Sequence, residues 1–170
     1  FFGCERLFFS LFPFFSHISR KLSQLHFFSI IKILSFQSQE NYMQTKSLNI
    51  LLEEANNLVK RLNYAEAIEL IETSKTVIID VREESEVFNQ GLIKGAIHIP
   101  RGLIEFKLAP NSSDNPMHID NETNLLLYCA GGYRSALAAK TLLDLGFKNV
   151  YNIGGFNEWC NSGGEIQAHL

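Results

Sequence analysis

A cysteine followed by two glycines and an arginine stands out at residues 129–135, which read Cys-Ala-Gly-Gly-Tyr-Arg-Ser. An apolar run at 124–128 predicts a buried strand before this cysteine. Apolar residues at helical spacing from 135 to 145, followed by Gly146, predict a helix after it. The segment therefore predicts a thiol on a short loop outside the carboxyl end of a strand, where α/β sheets usually bind ligands.

A loop of this kind can stabilise an anion. Backbone N–H groups of a loop that enters a helix point at one place, and the helix dipole adds positive potential there. Cys129 in that place would favour its thiolate, the nucleophilic form. Gly131 and Gly132 permit close backbone approach, Arg134 adds a fixed charge with planar donors, and Ser135 is predicted to cap the helix. The alternative is a buried structural cysteine, and the residues around Cys129 argue against it.

The remaining pattern alternates helices with strands. Helices are predicted at residues 48–62, 64–72 (capped by Asn63), 83–89 and around Trp159, with a helical turn at 102–107. Strands are predicted at residues 76–80, 96–99, 124–128 and 149–152, and a surface loop at 110–122. Such alternation predicts an α/β fold, a single domain with a mostly parallel sheet and helices on both faces.

Asp80 and Arg82 lie at the end of a predicted strand, so a parallel sheet would place them on the same edge as Cys129. They are candidates for the rim of the site, and a structural ion pair that holds the loop is an equal alternative. Weaker candidates, each with a plain structural interpretation, are Arg101 and His118 on the surface, His98 in a strand, Glu105 and Phe106 near the entrance, and Cys160 in packing.

The first quarter of the chain differs in composition from the rest. Ten of the fourteen Phe residues precede Met43, and this stretch contains no Ala, Val, Asp or Thr and begins with Phe. Met43 is therefore predicted as the natural start, with residues 1–42 a non-native extension and a targeting segment as the alternative. Residues 43–170 are predicted to form the domain.

Charge and cysteine content narrow the function of this domain. From Met43 onward, eleven Lys and Arg stand against sixteen Asp and Glu, which argues against nucleic acid as a partner. Cys129 and Cys160 form no Cys-x-x-Cys pair, so neither a zinc site nor a disulfide scaffold is favoured. In residues 1–42, no apolar run approaches the ~18 residues that span a bilayer. A cytoplasmic protein with reduced thiols and no membrane partner is predicted.

Four further segments carry a resemblance to a known family. Residues 79–83 read Ile-Asp-Val-Arg-Glu and 91–100 read Gly-Leu-Ile-Lys-Gly-Ala-Ile-His-Ile-Pro. Residues 101–106 read Arg-Gly-Leu-Ile-Glu-Phe, and 154–159 read Gly-Gly-Phe-Asn-Glu-Trp. Together with the cysteine loop, they resemble the rhodanese family, sulfurtransferases that carry sulfur as a cysteine persulfide, and its single-domain bacterial members in particular. The resemblance runs from about residue 50 to 165, with Leu92 standing where the family usually has His.

This resemblance implies that Cys129 forms the persulfide and that residues 130–134 cradle the sulfur anion. The implied reaction moves sulfane sulfur from thiosulfate or a persulfide to a thiol or cyanide, without a metal or organic cofactor. The expected partners are small sulfur-containing anions and thiols, with a thiol partner protein left open. The full set of predicted substrate-binding residues is Ala130, Gly131, Gly132, Tyr133, Arg134, Ser135, Asp80 and Arg82.

Two other functions compete with this one. A cysteine loop closed by arginine also binds tetrahedral oxyanions, as in a phosphatase or an arsenate reductase. A non-catalytic sulfur carrier or redox-binding module is the second alternative. Four residues separate Cys129 from Arg134, and by the family resemblance this shorter loop goes with sulfurtransferases, whereas related dual-specificity phosphatases have one residue more.

Overall fold

The computed structural model describes residues 45–110, 112–115 and 118–168 of the chain, so the prediction for residues 1–42 lies outside the described residues. The helices are α1 (Leu48–Leu58), α2 (Tyr64–Thr73), α3 (Glu84–Gln90), α4 (Ile104–Leu108, preceded by a 3-10 turn at Arg101–Leu103), α5 (Tyr133–Asp144) and α6 (Phe156–Asn161). The strands are β1 (Lys60–Arg61), β2 (Thr76–Asp80), β3 (Leu92–Ile93), β4 (Ile97–His98), β5 (Asn124–Cys129), β6 (Val150–Gly155) and β7 (Ile166–Gln167).

Five of the strands form one sheet in the order β1-β6-β5-β2-β4. Every pair in this sheet is parallel, and β5 lies at its centre between β6 and β2. The short strands β3 and β7 pair antiparallel in a separate sheet. The carboxyl ends of β1, β6, β5 and β2 therefore share one edge, and Cys129 is the last residue of β5.

Helices cover both faces of the sheet because alternate residues of its central strands point to opposite sides. Ile79 and Leu127 belong to the core cluster that includes residues of α4 and α5. Ile78 and Leu126 belong to the cluster that includes residues of α2, α3 and α6. The predicted α/β fold with helices on both faces is confirmed. Within the described residues, no helix has the length and apolar character needed to cross a membrane.

The largest difference from the predicted elements lies after the first helix. A helix was predicted through residue 62, but α1 ends at Leu58, and Lys60–Arg61 forms a strand against β6. The N–H of Leu62 then donates to the carbonyl of Asn152. Pairing with a strand some ninety residues away decides this segment, and local helical periodicity carries no information about such a contact.

Candidate active site

Cys129 lies at the floor of a tight loop between β5 and α5. The residue is 1% exposed, whereas Ala130 and Gly131 next to it are exposed. Gly132 is the N-cap of α5 and has a φ of 89°, a left-handed conformation that glycine adopts without strain. The chain therefore turns sharply after Cys129 and begins a helix at Tyr133, which leaves the thiol facing the helix N-terminus.

Hydrogen-bond donors converge on the sulfur. The N–H of Gly132 donates to Cys129 Sγ at 3.1 Å, and Ser135 Oγ lies 3.6 Å from the same atom. Burial raises the pKa of the Cys129 thiol. Hydrogen bonds from the N–H and hydroxyl of Ser135 and from the N–H groups of Gly131 and Gly132 lower this pKa, and their combined effect is larger than that of burial. The net pKa lies below the usual value for cysteine, so this environment favours the thiolate.

Ser135 has a different role from the predicted helix cap. It is the third residue of α5, because the positive φ of Gly132 lets the helix begin two residues earlier than predicted. Its Oγ lies 3.0 Å from the carbonyl oxygen of Gly132 and 2.9 Å from Oδ1 of Asn152. The hydroxyl faces inward as a donor, so the cap prediction is wrong and the contact with the thiol replaces it.

Asn152 of β6 is a site residue that the sequence analysis missed. The residue is 2% exposed, and its Nδ2 donates to the carbonyl oxygen of Gly132. Its Oδ1 accepts from the N–H of Gly154 and lies within reach of Ser135. Asn152 therefore ties the loop to β6 with an amide that is bonded at both its oxygen and its nitrogen, as buried polar groups require. A polar residue inside the apolar run of β6 was the signal that could have identified it.

The glycines that follow Asn152 let β6 approach the loop closely. A Cβ atom on Gly155 would lie 2.5 Å from the carbonyl oxygen of Ala130 and 3.3 Å from Cα of Gly131. Cys129 pairs with Gly155 across the register shift in the ladder between β5 and β6. Glycine is required at Gly155 because backbone, which cannot move aside as a side chain can, occupies the place of its Cβ.

Arg134 is held by a carboxylate rather than left free above the thiol. Its Nη1 and Nη2 donate to the two carboxylate oxygens of Glu86 at 2.6 and 2.8 Å, in a bidentate pair. This hydrogen-bonded pair lowers the pKa of Glu86 to about 2. It also raises the pKa of Arg134, with a smaller contribution from the Cys129 thiolate. The guanidinium of Arg134 is thus fixed near the sulfur, with part of its charge already compensated by Glu86.

Asp80 and Arg82 form a buried ion pair beneath the site. Both side chains are 0% exposed, and Arg82 Nη2 lies 2.7 Å from Asp80 Oδ2. Nε of Arg82 also donates to Asp80, Nη1 donates to Gln90 Oε1, and Nη2 donates in addition to the carbonyl oxygen of Gly91. The guanidinium stacks 4.1 Å from the Phe156 ring centroid. Both side chains are buried and bonded to each other, which is the arrangement that the structural alternative predicted.

The weaker candidates have structural partners. Arg101 donates to Glu105 and to Thr141, and His98 Nε2 lies 2.9 Å from the carbonyl oxygen of Arg82. Cys160 packs partly buried against the core cluster that includes α6. Two of the aromatic candidates are exposed, Phe106 at 74% and Tyr133, in the loop itself, at 67%.

Comparison with known proteins assigns the family. The profile of the rhodanese-like domain matches residues 63–162 of the chain. The chain belongs to the rhodanese-like domain family. A provisionally named mitochondrial thiosulfate sulfurtransferase of Schizosaccharomyces pombe is 33% identical to this rhodanese-like protein over 140 residues, which cover 78% of this chain and 92% of the relative. A tRNA uridine(34) hydroxylase of Yersinia pestis is 34% identical over 98 residues, and this chain spans only 27% of its length.

Solved structures agree with the family assignment. A Rhodopseudomonas palustris protein of unknown function, for which a tyrosine phosphatase activity has been suggested, is 40% identical with a TM-score of 0.66, covering 74% of this chain and 97% of its own. A rhodanese-like domain protein of Staphylococcus aureus is 30% identical with a TM-score of 0.50, covering 65% of this chain and 100% of its own. The thiosulfate sulfurtransferase of Pseudomonas aeruginosa shares the fold at 24% identity and a TM-score of 0.60, covering 72% of this chain and 23% of its own.

Proposed function

We propose that this protein is a thiosulfate sulfurtransferase that carries sulfane sulfur as a persulfide on Cys129. The observation that carries the proposal is the geometry around the buried sulfur of Cys129, to which the N–H of Gly132 donates at 3.1 Å and from which Ser135 Oγ lies 3.6 Å. These donors lower the pKa of the thiol. A thiolate with hydrogen-bond donors already in place is both a good nucleophile and a support for the persulfide anion that replaces it.

Cys129 is the one protein group that forms and breaks bonds in the proposed reaction. The Cys129 thiolate attacks the outer sulfur of thiosulfate, the new S–S bond forms, and the sulfur–sulfur bond to the sulfonate breaks to release sulfite. The persulfide then holds the negative charge on its terminal sulfur, where the loop N–H groups can donate to it. Cyanide or a thiol then attacks the terminal sulfur, and the bond between this sulfur and Cys129 Sγ breaks. The products are thiocyanate or a new persulfide, together with the regenerated Cys129 thiolate.

A phosphatase is the second candidate, because the name of the R. palustris neighbour suggests that activity. The short loop argues against it. A sulfane sulfur adds one atom to Cys129, whereas a phosphoryl group needs donors for three equatorial oxygens. Arg134, the charged donor of the loop, already gives both terminal nitrogens to Glu86.

Thiocyanate formation from thiosulfate and cyanide tests the proposal. Cys129→Ser is expected to abolish this activity and to remain folded, whereas Cys160→Ser, the same change at the other thiol of the described domain, is expected to retain it. Mass spectrometry after thiosulfate treatment is expected to show one added sulfur on the Cys129 peptide. Comparable turnover by Cys129→Ser would assign the nucleophile elsewhere.

Phosphate release separates the two candidate activities. The unmodified protein is expected to release no phosphate from an aryl phosphate, and robust release would replace the sulfurtransferase assignment. Inserting one residue between Gly132 and Tyr133 is expected to weaken sulfur transfer sharply, because it moves the N–H of Gly132 relative to Cys129 Sγ.

The proposed partners are small sulfur-containing anions and thiols, including a thiol of a partner protein. The proposed location is the cytoplasm, supported by a mechanism that needs Cys129 reduced. The name of the S. pombe relative, which assigns that protein to mitochondria, supplies the competing location. Subcellular fractionation with an antibody against the domain decides between the two compartments.

A further inference from the structure

Arg61 lies close to the candidate active site although it stands outside the family match, which begins at residue 63. It is the last residue of β1 and pairs with Asn152, which pairs in turn with Leu127, two residues before Cys129. Its side chain therefore leaves the sheet near the edge that carries the thiol.

The guanidinium of Arg61 rests on the glycines that shape the loop. A Cβ atom on Gly132 would lie 2.8 Å from its Nη1, and a Cβ atom on Gly154 would lie 2.5 Å from its Nη2. Since the N–H of Gly132 donates to Cys129 Sγ at 3.1 Å, bond lengths limit the distance from Nη1 to the sulfur to about 9 Å. At this distance a charge still acts on an ion at the thiol.

Glu158 orients this guanidinium but leaves part of it unused. Nη2 of Arg61 donates to both carboxylate oxygens of Glu158, at 3.0 and 2.7 Å. The N–H of Gly155 also donates to Glu158, which fixes the carboxylate in turn. Among the described residues Nη1 has no acceptor, and half of the Arg61 side chain is exposed. A cation with a free donor is thus held beside Gly132.

We propose that Arg61 is a specificity-determining residue that attracts the anionic end of the sulfur donor, such as the sulfonate of thiosulfate, toward Cys129. This proposal rests on the sulfurtransferase function and names its substrate class as anionic donors. Both terminal nitrogens of Arg134 donate to Glu86, whereas Nη1 of Arg61 donates to none of the described residues, so Arg61 supplies a second cationic donor for the anion. Charge focused at a recessed site raises the local concentration of an oppositely charged reactant.

The test compares two alkylating agents of similar size, anionic iodoacetate and neutral iodoacetamide, on the full-length protein. The alkylation rate at the Cys129 peptide is measured by mass spectrometry with each agent. The rate with iodoacetate divided by the rate with iodoacetamide reports the electrostatic potential at the sulfur. Arg61→Gln is expected to lower this ratio about threefold to tenfold at low salt, with less effect at high salt. Arg61→Lys is expected to retain most of the ratio, and Glu158→Gln to raise it.

Lys75→Gln is the matched control. It removes the same charge at the opposite edge of the sheet, where Lys75 pairs with Asp120, and it is expected to leave the ratio unchanged. An equal fall in Arg61→Gln and Lys75→Gln, or no fall in Arg61→Gln, overturns the proposal. In the sulfur-transfer assay, Arg61→Gln is expected to raise KM for thiosulfate with little change in kcat. Because alkylation does not require turnover, failure of the sulfurtransferase function and failure of this inference give different results.

Discussion

Ser135 Oγ and Asn152 Oδ1 lie 2.9 Å apart beneath the loop that carries Cys129. The N–H of Gly154 donates to the same Oδ1, so this oxygen is an acceptor and the serine hydroxyl is the donor. The single proton of Ser135 therefore has Asn152, the Gly132 carbonyl and Cys129 Sγ as competing acceptors. Once Cys129 is a thiolate, the charge-assisted bond to sulfur is the strongest of the three, so the network adjusts to the charge of the site.

Replacing Ser135 by alanine is expected to raise the pKa of Cys129, because the variant loses the hydroxyl that helps to lower it. A higher pKa leaves less thiolate at neutral pH, so alkylation of Cys129 by iodoacetamide is expected to slow about threefold to tenfold at pH 7. The rate is expected to recover at alkaline pH. The measurement is the pH profile of Cys129 alkylation.

Ser74→Ala controls for loss of a serine hydroxyl, since Ser74 bonds to the Leu70 carbonyl at the other end of the sheet. It is expected to keep the parent profile. A profile of Ser135→Ala that matches the parent at every pH would show that the backbone N–H groups alone set the thiol pKa.

Gly155→Ala is expected to disrupt the loop, because the new Cβ would lie 2.5 Å from the backbone oxygen of Ala130. Sulfur transfer and Cys129 alkylation at neutral pH are both expected to fall at least about tenfold, since a small misplacement of a reactive group has a large effect on rate. Gly102→Ala is the control, because nothing lies within 4 Å of its added Cβ. Full activity in Gly155→Ala would contradict the assigned role of this glycine.

Glu86→Gln is expected to reduce stability at neutral pH, because it removes the charge that pairs with Arg134. The folded-state pKa of Glu86 is about 2, below its ordinary value of 4.5. Its ionic contribution is therefore fully present above about pH 4.5 and is lost as pH falls through 2. Urea unfolding at several pH values measures the free energy of unfolding of parent and variant. The two are expected to differ by about 1 kcal/mol at pH 7, and this difference is expected to shrink below pH 4.5.

Glu84→Gln provides the comparison, because Glu84 is exposed in the same first turn of α3. At pH 7, Glu84→Gln is expected to lower the free energy of unfolding by less than Glu86→Gln does. If the difference in free energy of unfolding between the parent and Glu86→Gln stays constant from pH 7 to pH 2, the ion pair with Arg134 does not account for it.

Arg82→Met is expected to destabilise the fold by about 3–5 kcal/mol, because it leaves Asp80 buried without its partner. Lys75→Met, which breaks an exposed pair with Asp120, is expected to lower stability by about 0–1 kcal/mol. Equilibrium unfolding in urea measures both variants. Similar losses in the two would mean that the buried pair contributes no more than a surface pair.

Particular residues show how far the sequence could predict the site. The loop around Cys129 was identified because its signals are local, an apolar run, glycines and a helical repeat within about twenty residues. Asn63 was identified as a helix cap, and the structure shows its reciprocal capping box with Glu66. Ser135 was placed correctly in the chain but with the wrong partner, because the conformation of Gly132 sets where α5 begins.

The sequence by itself determined the α/β fold, the central strands and the presentation of Cys129 at a helix N-terminus, because periodicity and glycine position act over short distances along the chain. Only the tertiary structure decided which side chains surround the sulfur. Asn152, Glu86 and Arg61 reach the loop from β6, α3 and β1, and Asp80 and Arg82 are withdrawn beneath it. These contacts depend on the order of parallel strands in the sheet, which joins residues far apart in the chain and leaves no local pattern to read.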